Sequence, residues 1–142
     1  MRFLLDTCAV SEMVARRPSP AVLEWLRAQR ASDLYLSVVT LGELQKGIAK
    51  LPSCERRDEL ERWLGTAVLD QFGGRLLGLD VPTMLRWGVL VAECEARGRA
   101  VCALDSLLAA TALHHGLTVV TRNESDFTPT GVAVVNPWNS VT

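Results

Sequence analysis

The stretch Val101–Phe127, VCALDSLLAATALHHGLTVVTRNESDF, leaves little freedom in what it can become. Ser106 to His115 is dense in Leu and Ala, both good helix formers. Gly116 stands where such a helix ends in a left-handed residue. Leu117 to Val120 is apolar, carries two valines and is short enough for a buried strand. Asp105 is placed to open the helix as its N-cap, and Asp126 lies in the polar loop after the strand. The unit is a helix feeding a strand, with an acid just before the one and just after the other.

Other segments repeat the alternation. Arg2–Leu5 reads as a first strand, and Thr7 can cap a helix running to Arg16 or Arg17. Pro18-Ser-Pro20 separates it from a helix over Ala21–Arg30, and Leu34–Val39 reads as a second strand. Thr40-Leu-Gly-Glu43 has the form of a capping box and opens a helix through Ile48. Beyond Pro52, an amphipathic helix carries Leu60, Trp63, Leu64, Ala67 and Val68 on one stripe, up to Gly73–Gly74. Arg75–Leu79 is a third strand, Asp80 and Pro82 start a helix reaching Ala96, and Gly131–Val135 is the last strand. Trp25, Trp63 and Trp87 fall on apolar stripes. His114 and His115 sit near a helix end, with surface or packing roles.

Such alternation predicts one α/β domain over residues 1–142. Its core is an open, mainly parallel sheet of about five strands between two helical layers, a Rossmann-like α/β/α sandwich. The length suffices to bury a core without staples. No apolar run approaches the roughly 20 residues of a membrane span, and Asp6 interrupts any leader-like start, so a cytoplasmic protein is expected. The four cysteines form no C-x-x-C pair and are expected reduced and mostly buried. Net charge is −1, which does not favour a nucleic-acid binder. The arginines are clustered, however, at Arg16–Arg17, Arg56–Arg57 with Arg62, and Arg97 with Arg99. These are either solvated helix faces or basic rims around an acidic pocket. Neither G-x-G-x-x-G nor a P-loop pattern occurs.

In open parallel sheets, ligands bind beyond the carboxyl ends of the strands. Asp6 directly follows the first strand there. Glu43 lies in the first turn after the second, Asp126 follows the fourth, and Asp105 opens the helix that feeds it. Each alone could be a cap or a loop acid. Together, close carboxylates repel and raise one another's pKa, which a divalent cation with oxygen ligands relieves. Mg²⁺ or Mn²⁺ in such a cluster suits phosphoryl transfer. Ser106 and Thr121 are polar neighbours able to orient a water or to cap.

The segments LLDTCAVSE (Leu4–Glu12), SVVTLGELQKG (Ser37–Gly47), LDSLLAATALHHGLTVVTRNESDF (Leu104–Phe127) and VAVVNPW (Val132–Trp138) resemble the PIN-domain family, and within it the VapC/FitB-like toxins of type II toxin–antitoxin pairs. The resemblance implies that Asp6, Glu43 and Asp105 belong to an acidic metal site. The fourth position falls on Asn123 in the pattern of many relatives, or on Asp126 in that of others. Thr7, Ser106, Thr121 and Asn123 would support these acids. Cys8 stands where the family usually has Asn or Ser, and a thiol is a weaker hydrogen-bond partner. The resemblance further implies a Mg²⁺- or Mn²⁺-dependent endoribonuclease acting on RNA, and a homodimer. It also implies a cognate VapB/FitA-like antitoxin whose tail fills the acidic groove and through which alone DNA is contacted.

Two other readings are weighed. A receiver-like signalling domain needs paired acids after the first strand and a late lysine, whereas this chain has Asp6 alone and no lysine beyond Lys50. An inert PIN-like module would act only through its partner, and turnover on RNA separates it from the enzyme.

Overall fold

The computed structural model describes residues 1–139. Its five strands, β1 (Phe3–Leu5), β2 (Leu34–Ser37), β3 (Leu76–Leu77), β4 (Thr118–Val120) and β5 (Val134–Val135), form one parallel sheet in the order β3-β2-β1-β4-β5. The chain steps outward from β1 to β3, then returns to lay β4 on the other side of β1. The switch point between β1 and β4 is where a crevice opens at the carboxyl edge. All five strands are shorter than or equal to their expected runs, because the flanking residues turn into helices or loops.

Successive residues of a strand face opposite sides, and the two cores divide accordingly. Phe3, Leu5 and Val120 pack on one side with α1 (Thr7–Glu12), α2 (Pro20–Ala28) and α3 (Val38–Ala49). Leu4 and Val119 pack on the other with α6 (Val81–Ala96), α7 (Ala103–His115) and α8 (Glu124–Phe127). Each fully buried Leu contributes roughly 1.5–3 kcal/mol. No helix among the described residues is long and apolar enough to cross a membrane.

Three local expectations are corrected. First, α1 ends at Glu12, not Arg16; the Glu12 carboxylate accepts the Ser19 amide at 2.7 Å and closes the turn into α2. Its cap is Asp6, whose carboxylate accepts the Thr7 amide. Second, α3 starts directly at Val38 with Ser37 as its cap. Thr40 is therefore inside the helix, fully buried, with its hydroxyl unpaired, and the capping box does not exist. Third, the long amphipathic helix is interrupted. An α-helical start, α4 (Glu55–Arg62), passes into a π-helical stretch, Trp63–Val68, and then into α5 (Leu69–Phe72). The wider i→i+5 winding turns Leu64 and Val68 into the core and leaves Ala67 exposed.

Three of the seven clustered arginines strap the chain together. Arg56 donates to the Val14 carbonyl at 2.7 Å, Arg57 to that of Leu51, and Arg97 to that of Pro129. All four cysteines are free, but only Cys94 is buried; Cys54 and Cys102 are exposed and Cys8 is half-buried. Exposure follows from position, since Cys54 and Cys102 are the residues preceding α4 and α7. Gly116 ends α7 at φ +67°, the left-handed cap that glycine adopts without strain.

The misplaced cap gives a direct test. Thr40→Val removes a buried hydroxyl that bonds to nothing, so stability to urea should stay level or rise by up to about 1 kcal/mol. A loss of about 1 kcal/mol, the usual cost of removing a Thr cap, would restore the capping-box reading.

Candidate functional site

Asp6 occupies the switch point. It is 7% exposed, and its amide donates to the Val120 carbonyl at 3.0 Å, locking the end of β1 to β4. One carboxylate oxygen, Oδ1, accepts the Thr7 amide at 2.7 Å. The other, Oδ2, accepts the Thr121 hydroxyl at 2.8 Å and the Cys8 thiol at a longer 3.7 Å. The Asn123 amide donates to the Thr121 hydroxyl in turn, so the loop after β4 is tied to the same carboxylate.

Glu43 reaches this place from α3. The Thr7 hydroxyl donates to its Oε1 at 2.9 Å, so Thr7 serves both acids, with its amide on Asp6 and its side chain on Glu43. Glu43 lies in the second turn of α3 rather than the first, because the helix begins at Val38. Burial raises its pKa; the Thr7 bond opposes that, and the charges of Asp6 and Asp105 add to it.

Asp105 is the third residue of α7, not its cap; that position is Cys102, which makes no capping bond. The acid in the first turn still faces the positive end of the helix dipole. The Cys102 thiol donates to Asp105 Oδ2 at 3.0 Å, a contact that chain order alone gave no reason to expect. Burial raises the Asp105 pKa against the lowering effect of that bond, and the charges of Asp6 and Asp126 raise it further. Asp126 therefore acts on the cluster through its field, from the exposed helix α8 rather than from a loop. Asn123 precedes that helix and contributes its amide.

Ser106 has a different role from the one expected. It is buried, accepts from Trp87 Nε1 at 2.9 Å and donates to the Ala103 carbonyl at 2.7 Å, which joins α6 to the start of α7. It thus fixes the helix that carries Asp105.

The donor set is entirely carboxylate oxygen, the chemistry that Mg²⁺ and Mn²⁺ prefer. Among the described residues, no three His, Cys, Asp or Glu side chains are drawn together tightly enough to hold one ion as placed. The carboxylates share a field without yet sharing a point. Beside Glu43 runs a groove of about 390 Å³, walled by Thr7, Ser11, Val14, Leu44, Ile48, Leu60 and other side chains including Arg56 and Trp63. It is mainly apolar along its length and acidic at one end.

Residues 3–130 match the PIN domain family. The chain belongs to the PIN domain family. A PIN-domain relative from Sinorhizobium fredii, VapC ribonuclease Y4jK, is 37% identical over 95% of this chain and 96% of its own length. Toxin FitB of Neisseria gonorrhoeae is 36% identical over 96% of this chain and 98% of its own. The crystal structure of FitAcB from Neisseria gonorrhoeae matches this PIN domain with a TM-score of 0.92 at 36% identity, covering 97% of this chain and 99% of that one.

The raised acids set a pH dependence. Their folded pKa values lie above the ordinary 3.8 of Asp105 and 4.5 of Glu43. The metal-free protein therefore holds these protons more tightly than the unfolded chain does, and their contribution to stability is lost as pH rises through that window. Asp80 contributes with the opposite sign, since hydrogen bonding to Thr83 holds its pKa down. The difference between parent and Asp105→Asn isolates the site. Without metal near neutral pH the variant should be as stable or more stable, by about 0.5–1 kcal/mol after solvent screening. Its stability should also fall less steeply as pH rises above the ordinary carboxylate range. A variant that melts several degrees below the parent without metal would make Asp105 a structural residue.

Proposed function

We propose that this chain is a divalent-metal-dependent endoribonuclease and the toxin half of a toxin–antitoxin pair. The observation that carries the reading is that Asp6, Glu43 and Asp105, from three separate elements, act on one another's charge beside the switch point of a PIN fold. Relatives named ribonuclease and toxin, alike along almost the whole chain, support it.

Asp6, Glu43, Asp105 and Asp126 would hold Mg²⁺ or Mn²⁺, which supplies the positive charge that activates water and steadies a departing oxygen. The remaining work belongs to the chain. Thr7 and Thr121 keep the Asp6 carboxylate in one orientation, since both of its oxygens are occupied by fixed donors. Thr7 also turns Glu43 towards Asp6. Burial and neighbouring carboxylates raise the proton affinity of Glu43 and Asp105, and a cation held between them would relieve that repulsion.

The apolar groove beside Glu43 suits an amphipathic antitoxin segment ending in a cation that reaches the carboxylates. DNA would then be met only through the antitoxin. The toxin would act in the cytoplasm, where its RNA substrates are. Self-association fits α6, where Val81, Leu85 and Val89 recur every four residues at 72%, 68% and 60% exposure. The stretch Leu60–Val68 is not available for this, since Leu64 and Val68 are turned into the core.

Two measurements test these statements. Purified protein with Mn²⁺ should cleave single-stranded or loop RNA to products with a 5′-phosphate and a 3′-hydroxyl, and a chelator should stop it. Products ending in a 2′,3′-cyclic phosphate would mean attack by the RNA's own 2′-hydroxyl and would overturn the mechanism. Light scattering at micromolar concentration should return a dimer mass for the parent and a monomer mass for Leu85→Glu. A monomeric parent would sink the self-association reading.

A further inference from the structure

Besides its carboxylates, the carboxyl end of the sheet carries a cation that is held in place. Arg122 follows Thr121 at the end of β4, and its guanidinium lies 5.4 Å from the centroid of the Trp138 ring. Trp138 packs in turn against the core that contains Phe3 and Leu26. The Arg122 carbonyl accepts Asn136 Nδ2 at 3.4 Å, which ties its main chain to the end of β5. The residue is exposed. Among the described residues it has no carboxylate partner; the ion pairs there are Arg56–Glu59 and Arg57–Glu61. It is nevertheless near the site, since the hydroxyl of the preceding residue, Thr121, donates to Asp6 Oδ2 at 2.8 Å. Lys46 acts on Glu43 from α3, but no ring holds it.

A cluster of acids repels a polyanion, so a chain that hydrolyses RNA needs positive charge at the rim to bring the backbone in. A guanidinium held over a ring by cation–π attraction keeps N–H groups for hydrogen bonds and loses less freedom when a phosphate arrives. With no carboxylate already paired to it, nothing must be displaced first. We propose that Arg122, held on Trp138, is a positioning residue that receives a backbone phosphate of single-stranded RNA next to the phosphodiester being cleaved. This rests on the ribonuclease reading above.

The test is run in a chelator, so that binding is read apart from cleavage. The probe is a fluorescein-labelled pool of short single-stranded RNA of random sequence, with anisotropy followed as salt is raised. The parent, Arg122→Gln and Arg122→Lys are compared, each with its melting temperature. Arg122→Gln should bind about three- to ten-fold more weakly and lose about 0.7 from the magnitude of the slope of log affinity against log salt, the share of one phosphate contact on a single strand. Arg122→Lys should keep the parental slope. With Mn²⁺ present, Arg122→Gln should raise KM and leave kcat within about two-fold. Unchanged affinity and slope in Arg122→Gln overturn the proposal. So does a lower melting temperature with the slope intact, since Arg122 would then only cover Trp138. A parent that neither binds nor cleaves RNA overturns the ribonuclease reading and this inference with it. A parent that binds and cleaves beside an indistinguishable Arg122→Gln removes this inference alone.

Discussion

The structure depends on a buried carboxylate. Asp6 ends the central strand, and each of its polar groups has a partner: its amide on Val120, its carbonyl under Ala9 and Val10, and its side chain under Thr7 and Thr121. A buried carboxylate is tolerated only where fixed donors replace the water it has lost. Those donors come from the start of α1 and the end of β4, so satisfying Asp6 also fixes the position of both elements. The same bonds that hold the fold together therefore hold the acid at the crevice.

Glu43 and Asp105 are held more loosely. Each has one hydrogen-bonding side chain on it, Thr7 in one case and Cys102 in the other, and each is only partly buried. Burial and neighbouring charge both work against their ionised forms. This is strain retained at a place where a cation or a proton would relieve it. A core of packed leucines would be more stable and would do no chemistry. Thr7 lies between the buried acid and a half-buried one, which makes it the means by which the position of Asp6 is passed to Glu43.

The sheet was legible in the chain because its signal is local. Leu4 faces one core and Phe3 and Leu5 the other, and each strand run is bounded by polar residues. The place of Asp6 was legible because it ends a strand run. What the chain hid were choices between two adequate local answers. Ser37 and Thr40 can each cap α3, and the β-branched pair Val38–Val39 favours continuing the strand, so the later cap looked better. Packing decided for Ser37, as tertiary context overrides weak propensity. Contacts between distant residues were hidden for a different reason. Cys102 on Asp105 depends on a side-chain rotation at the start of α7, and Arg122 on Trp138 joins two loops that no periodicity links.

The winding of the rod from Glu55 to Phe72 ties the groove to the core. One extra residue in a turn shifts helical phase by about 100°. Arg56, Leu60 and Trp63, up to the π-helical stretch, line the groove, while Leu64, Val68 and Phe72 are spaced by four and buried. A straight helix would present one stripe to both neighbours, so any change of groove contact would disturb the core beneath. Here too the two surfaces share side chains, since Leu60 and Trp63 line the groove and also pack against the core. The groove wall is thus the outer face of the interior, and a substitution at Leu60 or Trp63 is felt on both sides at once.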